Sequence, residues 1–276
     1  MALIWGVNFS VVKYATRTMS PLAFTGIRVV LAAAVLLIVA YARGGRFPVR
    51  KDILGLIALG MLGNGFYQIL FVEGVARTKA GNAALIVAAT PALIAIVSRA
   101  RGIERVGWRV HAGIVLSLAG VGLVVLGSAA TGNHDNTLTG IALVLAGTFC
   151  WTAFTVLLQP YARRLDAIQM SAFTMCGGSI PLIILAPFSF SYTNWSNVGI
   201  GAWLAILYAS VLSMGLAYLF WYRGLRVLGP TRTAVYSNVQ PVIALIVAWI
   251  FLHETPTIWQ TVGTGTIISG LFLTRS

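Results

Sequence analysis

Within a chain of 276 residues that is mostly apolar, a small set of polar and aromatic side chains falls inside the hydrophobic runs, where chemistry is scarce. Trp5, Asn8, Asn64, Tyr67, Gln68 and Asn82 form this set in the first half, and Trp151, Ser213, Tyr218, Tyr236, Asn238 and Gln240 in the second. Side-chain amides both donate to a carboxylate and accept from an amine, while tyrosine and tryptophan rings stack against aromatic or apolar groups. Together these residue types suit reversible replacement of a small molecule's hydration shell, without any bond being made or broken. Each residue alone has a blander role open to it, since an intramembrane amide often links two helices and Tyr or Trp often marks the lipid–water boundary.

Groups for covalent chemistry are thin. There is no His-Glu-x-x-His metal motif and no Gly-x-Ser-x-Gly elbow, and Asp52, Asp135 and Asp166 all fall at loops. The chain is therefore not expected to be an enzyme, nor to hold a metal or cofactor. Cys150 and Cys176 lie in apolar runs and read as buried fillers, and His111 reads as an interface residue close to Arg109. Two charges call for attention. Arg28 lies about eight residues, ~12 Å, inside the second run, so it must face protein or water. Glu73 and Tyr14 are its expected partners, with a solute carboxylate as the sharper alternative. Pro91 and Pro241 each remove a backbone donor from a run and read as paired kinks or gating hinges.

The elements that carry these residues follow from composition. With 58% hydrophobic and 9% charged residues, the solvent for most of the chain is lipid. Inside a ~30 Å hydrocarbon core only helices or closed barrels satisfy the backbone, and a helix of roughly 20 residues crosses it. Ten runs can be drawn, near 1–18, 20–42, 53–75, 79–99, 107–128, 138–161, 166–188, 198–224, 230–251 and 256–275. The start of the chain lacks a signal peptide's basic stretch and cleavage site, and a shortened first span is one open reading.

The formal net charge is +13, but Lys and Arg cluster in short gaps between runs instead of forming one stripe, which disfavours nucleic acid as a partner. With the amino end inside, 13 cations, among them Arg43, Arg46, Arg99, Arg105, Arg163 and Arg226, fall on the cytoplasmic side against four opposite, Lys13, Arg17, Arg77 and Lys79. Both termini are therefore expected to be cytoplasmic, in a bacterial inner membrane.

An offset of 150 positions aligns Gly65 with Gly215, Gly74 with Gly224, Pro91 with Pro241, Glu104 with Glu254, Gly113 with Gly263 and Gly120 with Gly270. The opening helices match at a smaller offset, Trp5 with Trp151. Two units follow, 1–128 and 129–276. Each crosses the membrane five times, so the second copy must be inverted. The basic loop at Arg43 to Lys51 corresponds to residues 189–197, which carry no charge, as expected if equivalent loops lie on opposite faces. The fold class expected is an all-α polytopic membrane protein with ten transmembrane helices, arranged as two inverted five-helix repeats around a central cavity. Inverted repeats are an architecture of secondary transporters.

These residues resemble the drug/metabolite transporter superfamily, and within it the EamA-type ten-helix branch, over nearly the whole chain. The resemblance is carried by Trp5-Gly6-x-Asn8-Phe9, Lys13, Pro21, Phe24 and Arg28, then by Ala83, Ala84, Leu85, Pro91, Glu104, Gly113 and Gly120, with Pro241, Glu254, Gly263 and Gly270 closing the second unit. Aromatic amino-acid exporters of the YddG type are the most similar members. The resemblance implies a cavity formed by helices 1, 3, 4, 6, 8 and 9, with helices 5 and 10 peripheral. It also implies export of amino acids, aromatic or large apolar ones included, by alternating access, with a small-molecule solute and membrane lipid as partners and a monomer as the working unit. Efflux of drug-like or other amphipathic metabolites is the second reading. The first run has no acidic residue, which disfavours the proton-for-cation exchange of the small multidrug members.

Overall fold

A computed structural model describes residues 1–44, 47–102, 108–130 and 138–275. Of the residues singled out above, Arg46, Glu104, Arg105 and Asp135 lie outside that set, as do the side chains of His111 and Asn238. Among the described residues the regular structure is helical throughout, with no strand.

The principal helices, in chain order, are α1 (Ala2–Ala15), α2 (Pro21–Ala42), α3 (Arg50–Ala76), α4 (Ala80–Ala100), α5 (Trp108–Ala130), α6 (Leu138–Ala162), α7 (Ala167–Leu185), α8 (Ile200–Leu228), α9 and α10 (Ile258–Arg275), with two short turns of helix, Pro187–Phe190 and Trp195–Asn197, between α7 and α8. Helix α9 is built of three pieces, Pro230–Val235, a 3₁₀ turn over Tyr236–Val239, and Gln240–Leu252. Six of these, α2, α3, α4, α6, α7 and α8, are long and apolar enough to cross a membrane by length and composition. The chain is an all-α polytopic membrane protein.

Local sequence sets several boundaries. Ser20 caps α2, its hydroxyl accepting from the Ala23 amide at 3.3 Å, and Pro21 fills the first helical position, where no backbone donor is needed. Asp166 does the same for α7 through the Ile168 amide at 2.9 Å. Gly229, at φ 83°, makes the sharp turn from α8 into α9 in a conformation that side chains with a Cβ resist. Cys150 and Cys176 are only half-buried, which corrects their reading as buried fillers.

The two halves share their irregularities as well as their helices. A π-helical turn interrupts α3 over Met61–Phe66, and another interrupts α8 over Tyr208–Leu216; shifting the first by 150 places it inside the second. Helix α4 breaks at Ala88–Ala89 between Ala80–Val87 and Thr90–Ala100, and the same shift lands that break in the 3₁₀ turn of α9. The sequence predicted one continuous run at each place. Proline explains the interruption of both: Pro91 and Pro241 have no amide hydrogen, so the carbonyl four residues earlier loses its partner. Beside Pro91 the vacated acceptor is taken over, since the Thr90 hydroxyl donates to the Val87 carbonyl at 2.5 Å.

Among the described residues helices α5 and α10 make the most extensive helix-to-helix contact, through the glycines at spacing seven. A Cβ on Gly120 would stand 2.9 Å from the Gly263 carbonyl oxygen, and one on Gly270 would stand 2.6 Å from that of Gly113. Contact therefore runs from 113 with 270 to 120 with 263, so the two equivalent helices are antiparallel, as inversion of one unit relative to the other requires. Small residues bring the backbones close enough for van der Waals contact to hold them in lipid.

Candidate functional site

A cavity lies at the centre, walled by Trp5, Asn8 and Phe9 of α1, Tyr67, Gln68 and Phe71 of α3, Ala88, Thr90 and Pro91 of α4, Trp151 of α6, Ser213, Tyr218 and Trp221 of α8, and Ser237, Gln240 and Pro241 of α9. These are the six helices that the family resemblance implies. The cavity has about 60 Å³ of room, far below the roughly 300 Å³ at which ordinary small-molecule sites begin. A metabolite therefore enters only if the walls move, and the broken segments of α4 and α9 both form wall.

Aromatic rings dominate the lining. Trp151 is the hub, with ring centroids 5.9 Å from Trp5, 5.1 Å from Tyr67, 5.5 Å from Tyr218 and 5.5 Å from Trp221. Trp5 closes the group against Tyr218 at 5.6 Å and Trp221 at 5.4 Å. Its indole N–H donates to the Ser213 carbonyl at 3.0 Å, within the π turn of α8, where the backbone pattern leaves carbonyls available. Each such ring pair contributes on the order of 0.5–1.5 kcal/mol beyond area burial.

Polar atoms punctuate these rings. Asn8 Oδ1, Ser237 Oγ and Trp221 Nε1 are buried with no hydrogen-bond partner among the described residues. Buried polar atoms are nearly always paired, so these three are open to another molecule's polar groups. Among the described residues no charged side chain lines the cavity.

Arg28 lies just behind the wall, 1% exposed. Its guanidinium donates to Gln68 Oε1 at 2.6 Å and stands 5.1 Å from the centroid of the Phe24 ring. Gln68 Nε2 in turn donates to the Tyr218 hydroxyl at 3.1 Å. The partners expected for Arg28 are engaged elsewhere: Glu73 pairs with Arg77 one turn further along α3, partly exposed, so it is not a second buried charge, and Tyr14 is half-exposed beside Gly201.

Of the residues named from sequence, Trp5, Asn8, Tyr67, Gln68, Trp151, Ser213, Tyr218, Gln240, Pro91 and Pro241 come together on the cavity. Three others do not. Asn64 is wholly buried where α3 crosses α7 at Gly178, Asn82 accepts from Gln260 Nε2 at 2.6 Å to tie α4 to α10, and Tyr236 is half-exposed. Sequence reading missed Trp221, Ser237 and Thr90. Trp221 follows Tyr218 by three positions, one helical turn on the same face, and that spacing was the available signal.

At one end of the bundle α1, α3, α4 and α9 converge. Lys13 Nζ donates to the Ala76 carbonyl at 3.0 Å, and the Glu254 carboxylate, just past α9, accepts from the Ala80 amide at 3.4 Å at the start of α4. Burial raises the Glu254 carboxyl above the usual carboxylate range, opposed by the Ala80 and Gly81 amides and by Lys13 and Lys79.

Comparison with known proteins gives one consistent picture. The profile of the EamA-like transporter family matches residues 1–126 and again 138–276. The uncharacterized transporter YyaM of Bacillus subtilis is 29% identical over 274 residues, 98% of this chain and 89% of its own. A probable terminal-alkyne amino-acid exporter of Streptantibioticus cattleyicolor is 24% identical over 246 residues, 89% of this chain and 81% of its own. A crystal structure superimposes with a TM-score of 0.70 at 17% identity, covering 99% of this chain and 93% of that one, a likeness of fold alone.

Proposed function

Because the chain belongs to the EamA-like transporter family, we propose that it exports amino acids, aromatic and other large apolar ones included, by alternating access through the central cavity. The observation that carries this reading is the pairing of ring walls with orphaned polar atoms of both kinds. An α-amino acid brings an ammonium, which needs an acceptor such as Asn8 Oδ1, and a carboxylate, which needs donors such as Trp221 Nε1. Its side chain then stacks on Trp5, Tyr67 or Trp151. The probable exporter from Streptantibioticus cattleyicolor lends support, since its name gives an amino acid as the cargo of a protein similar to this chain.

The units are 1–128 and 129–276, in an inner membrane with both termini in the cytoplasm, and one copy of the chain works alone. The two-part family match and the antiparallel α5 and α10 support the division; the cation distribution supports the orientation. Pro91 and Pro241 serve as hinges of the moving walls. Efflux of amphipathic drug-like molecules is the second reading, favoured by a lining that holds no charge.

Counterflow in proteoliposomes separates the two. Liposomes preloaded with phenylalanine should accumulate labelled phenylalanine, and lipophilic amines should compete weakly. Competition by the amines with none by amino acids would replace the first reading with the second.

A further inference from the structure

Arg28 is the one group near the cavity whose charge the transport reading leaves unused. It is fully buried in a membrane-embedded bundle, and among the described residues no carboxylate lies within ion-pair distance. Its Nε is also buried without a partner. A lone cation is costly at this depth and is found where it meets a functional anion or a water-filled path.

The geometry supplies a route from that charge to the cavity. The guanidinium donates to Gln68 Oε1 at 2.6 Å, and the other end of the same amide donates to the Tyr218 hydroxyl at 3.1 Å. Each bond polarises the next in a low-dielectric interior. Tyr218 therefore accepts with its oxygen, and its own hydroxyl hydrogen has no acceptor among the described residues while its ring forms cavity wall. The chain of donors ends in one O–H that points its hydrogen away from the cation.

We infer that Arg28, Gln68 and Tyr218 form a relay that presents positive charge to the cavity as a strengthened tyrosine donor, and that this donor selects solutes bearing a carboxylate. The inference rests on the amino-acid reading and narrows it: the carboxylate is required, and the ammonium and side chain are secondary. Tyr218 touches the solute; Arg28 and Gln68 are positioning residues that act through it. Holding the cation one amide away from the cavity lets the anion be attracted without forming a direct ion pair that would resist release.

The test compares phenylalanine, phenylalaninamide and phenethylamine as counterflow substrates in wild-type, Tyr218→Phe, Gln68→Leu, Arg28→Met and Arg28→Lys proteins. Wild type should prefer the acid over both other compounds. A hydrogen bond to a charged group is worth enough that Tyr218→Phe should cut the acid-to-amide ratio roughly tenfold to a hundredfold. Gln68→Leu and Arg28→Met should fall to the same ratio, and the Gln68→Leu Tyr218→Phe double variant should be no worse, because the three act as one unit. Arg28→Lys should recover part of the preference. If Arg28→Met fails to fold, the other two single variants decide. Wild type carrying acid and amide equally, or folded Tyr218→Phe and Gln68→Leu keeping the preference, overturns the relay while leaving amino-acid transport standing. Absence of flux for phenylalanine, with amines carried, overturns transport of amino acids and the relay with it.

Discussion

Gln68 and Tyr218 occupy the same slot of the two halves, 150 residues apart, and are hydrogen-bonded to each other at 3.1 Å. Two equivalent residues can touch only on the axis that relates their units. Trp5 and Trp151, equivalent at the smaller offset, also meet, edge to face at 5.9 Å. The cavity is thus built around that axis, and movement of one half is felt directly by the other.

Arg28 offers a separation of stability from activity. Because it has no acidic partner among the described residues, replacing it with an apolar side chain of similar length breaks no ion pair and removes a desolvation cost that offsets the lost hydrogen bond to Gln68. Arg28→Met should keep or raise the thermal midpoint in detergent while transport falls at least tenfold. A midpoint lowered by several degrees would show that the cation holds the bundle together.

The prolines make a kinetic prediction. Pro91→Ala restores an amide for the Val87 carbonyl that Thr90 now satisfies, and should straighten α4. Pro91→Ala and Pro241→Ala should each lower turnover severalfold with the half-saturating concentration little changed, read from counterflow rates at several solute concentrations. Unchanged turnover in both would remove the hinge role.

Glu254 gives a pH dependence. Its carboxyl is raised by burial in the conformation described, so that conformation is stabilised by protonation: its extra stability is complete at low pH and is lost as pH rises through the raised value. The thermal midpoint should therefore fall on going from acid toward neutral pH, and Glu254→Gln should flatten that slope. A midpoint that rises over the same interval would show that the Ala80 amide and the lysines outweigh burial.

Packing of α5 on α10 predicts a purely structural lesion. A Cβ on Gly270 would meet the Gly113 carbonyl at 2.6 Å and Ser117 at 2.7 Å, and backbone has no room to yield. Gly270→Val should cost about 1–3 kcal/mol, seen as a lower midpoint. Turnover per folded molecule should be unchanged, since neither helix contributes to the cavity wall.

How much was legible beforehand depends on the kind of signal. Runs of apolar residues and the repeated Pro91 and Pro241 are local patterns, and they located the helices; the cavity's helices were implied by the family resemblance, and the contact of α5 with α10 was not foreseen. Partner choice turns on competition between neighbours. Glu73 looked suited to Arg28 because both lie toward one end, yet Arg77, four residues on and just past the end of α3, captures it. Asn82 read as cavity-facing, but a fraction of a turn of helix rotation decides between the centre and Gln260. The π turns carry no composition of their own, so the carbonyl that Trp5 uses was invisible until backbone geometry was seen.

The solitary arginine has a consequence for how such a carrier can be encoded. In an assembly of two identical five-helix polypeptides, every group near the shared axis would occur twice, and a guanidinium in the Arg28 place would confront its twin across a dry interior with no anion to divide them. Here the position 146 residues later is Thr174, a neutral hydroxyl 2.9 Å from Tyr222. Joining both halves in one polypeptide is what permits a single unshared charge beside the axis.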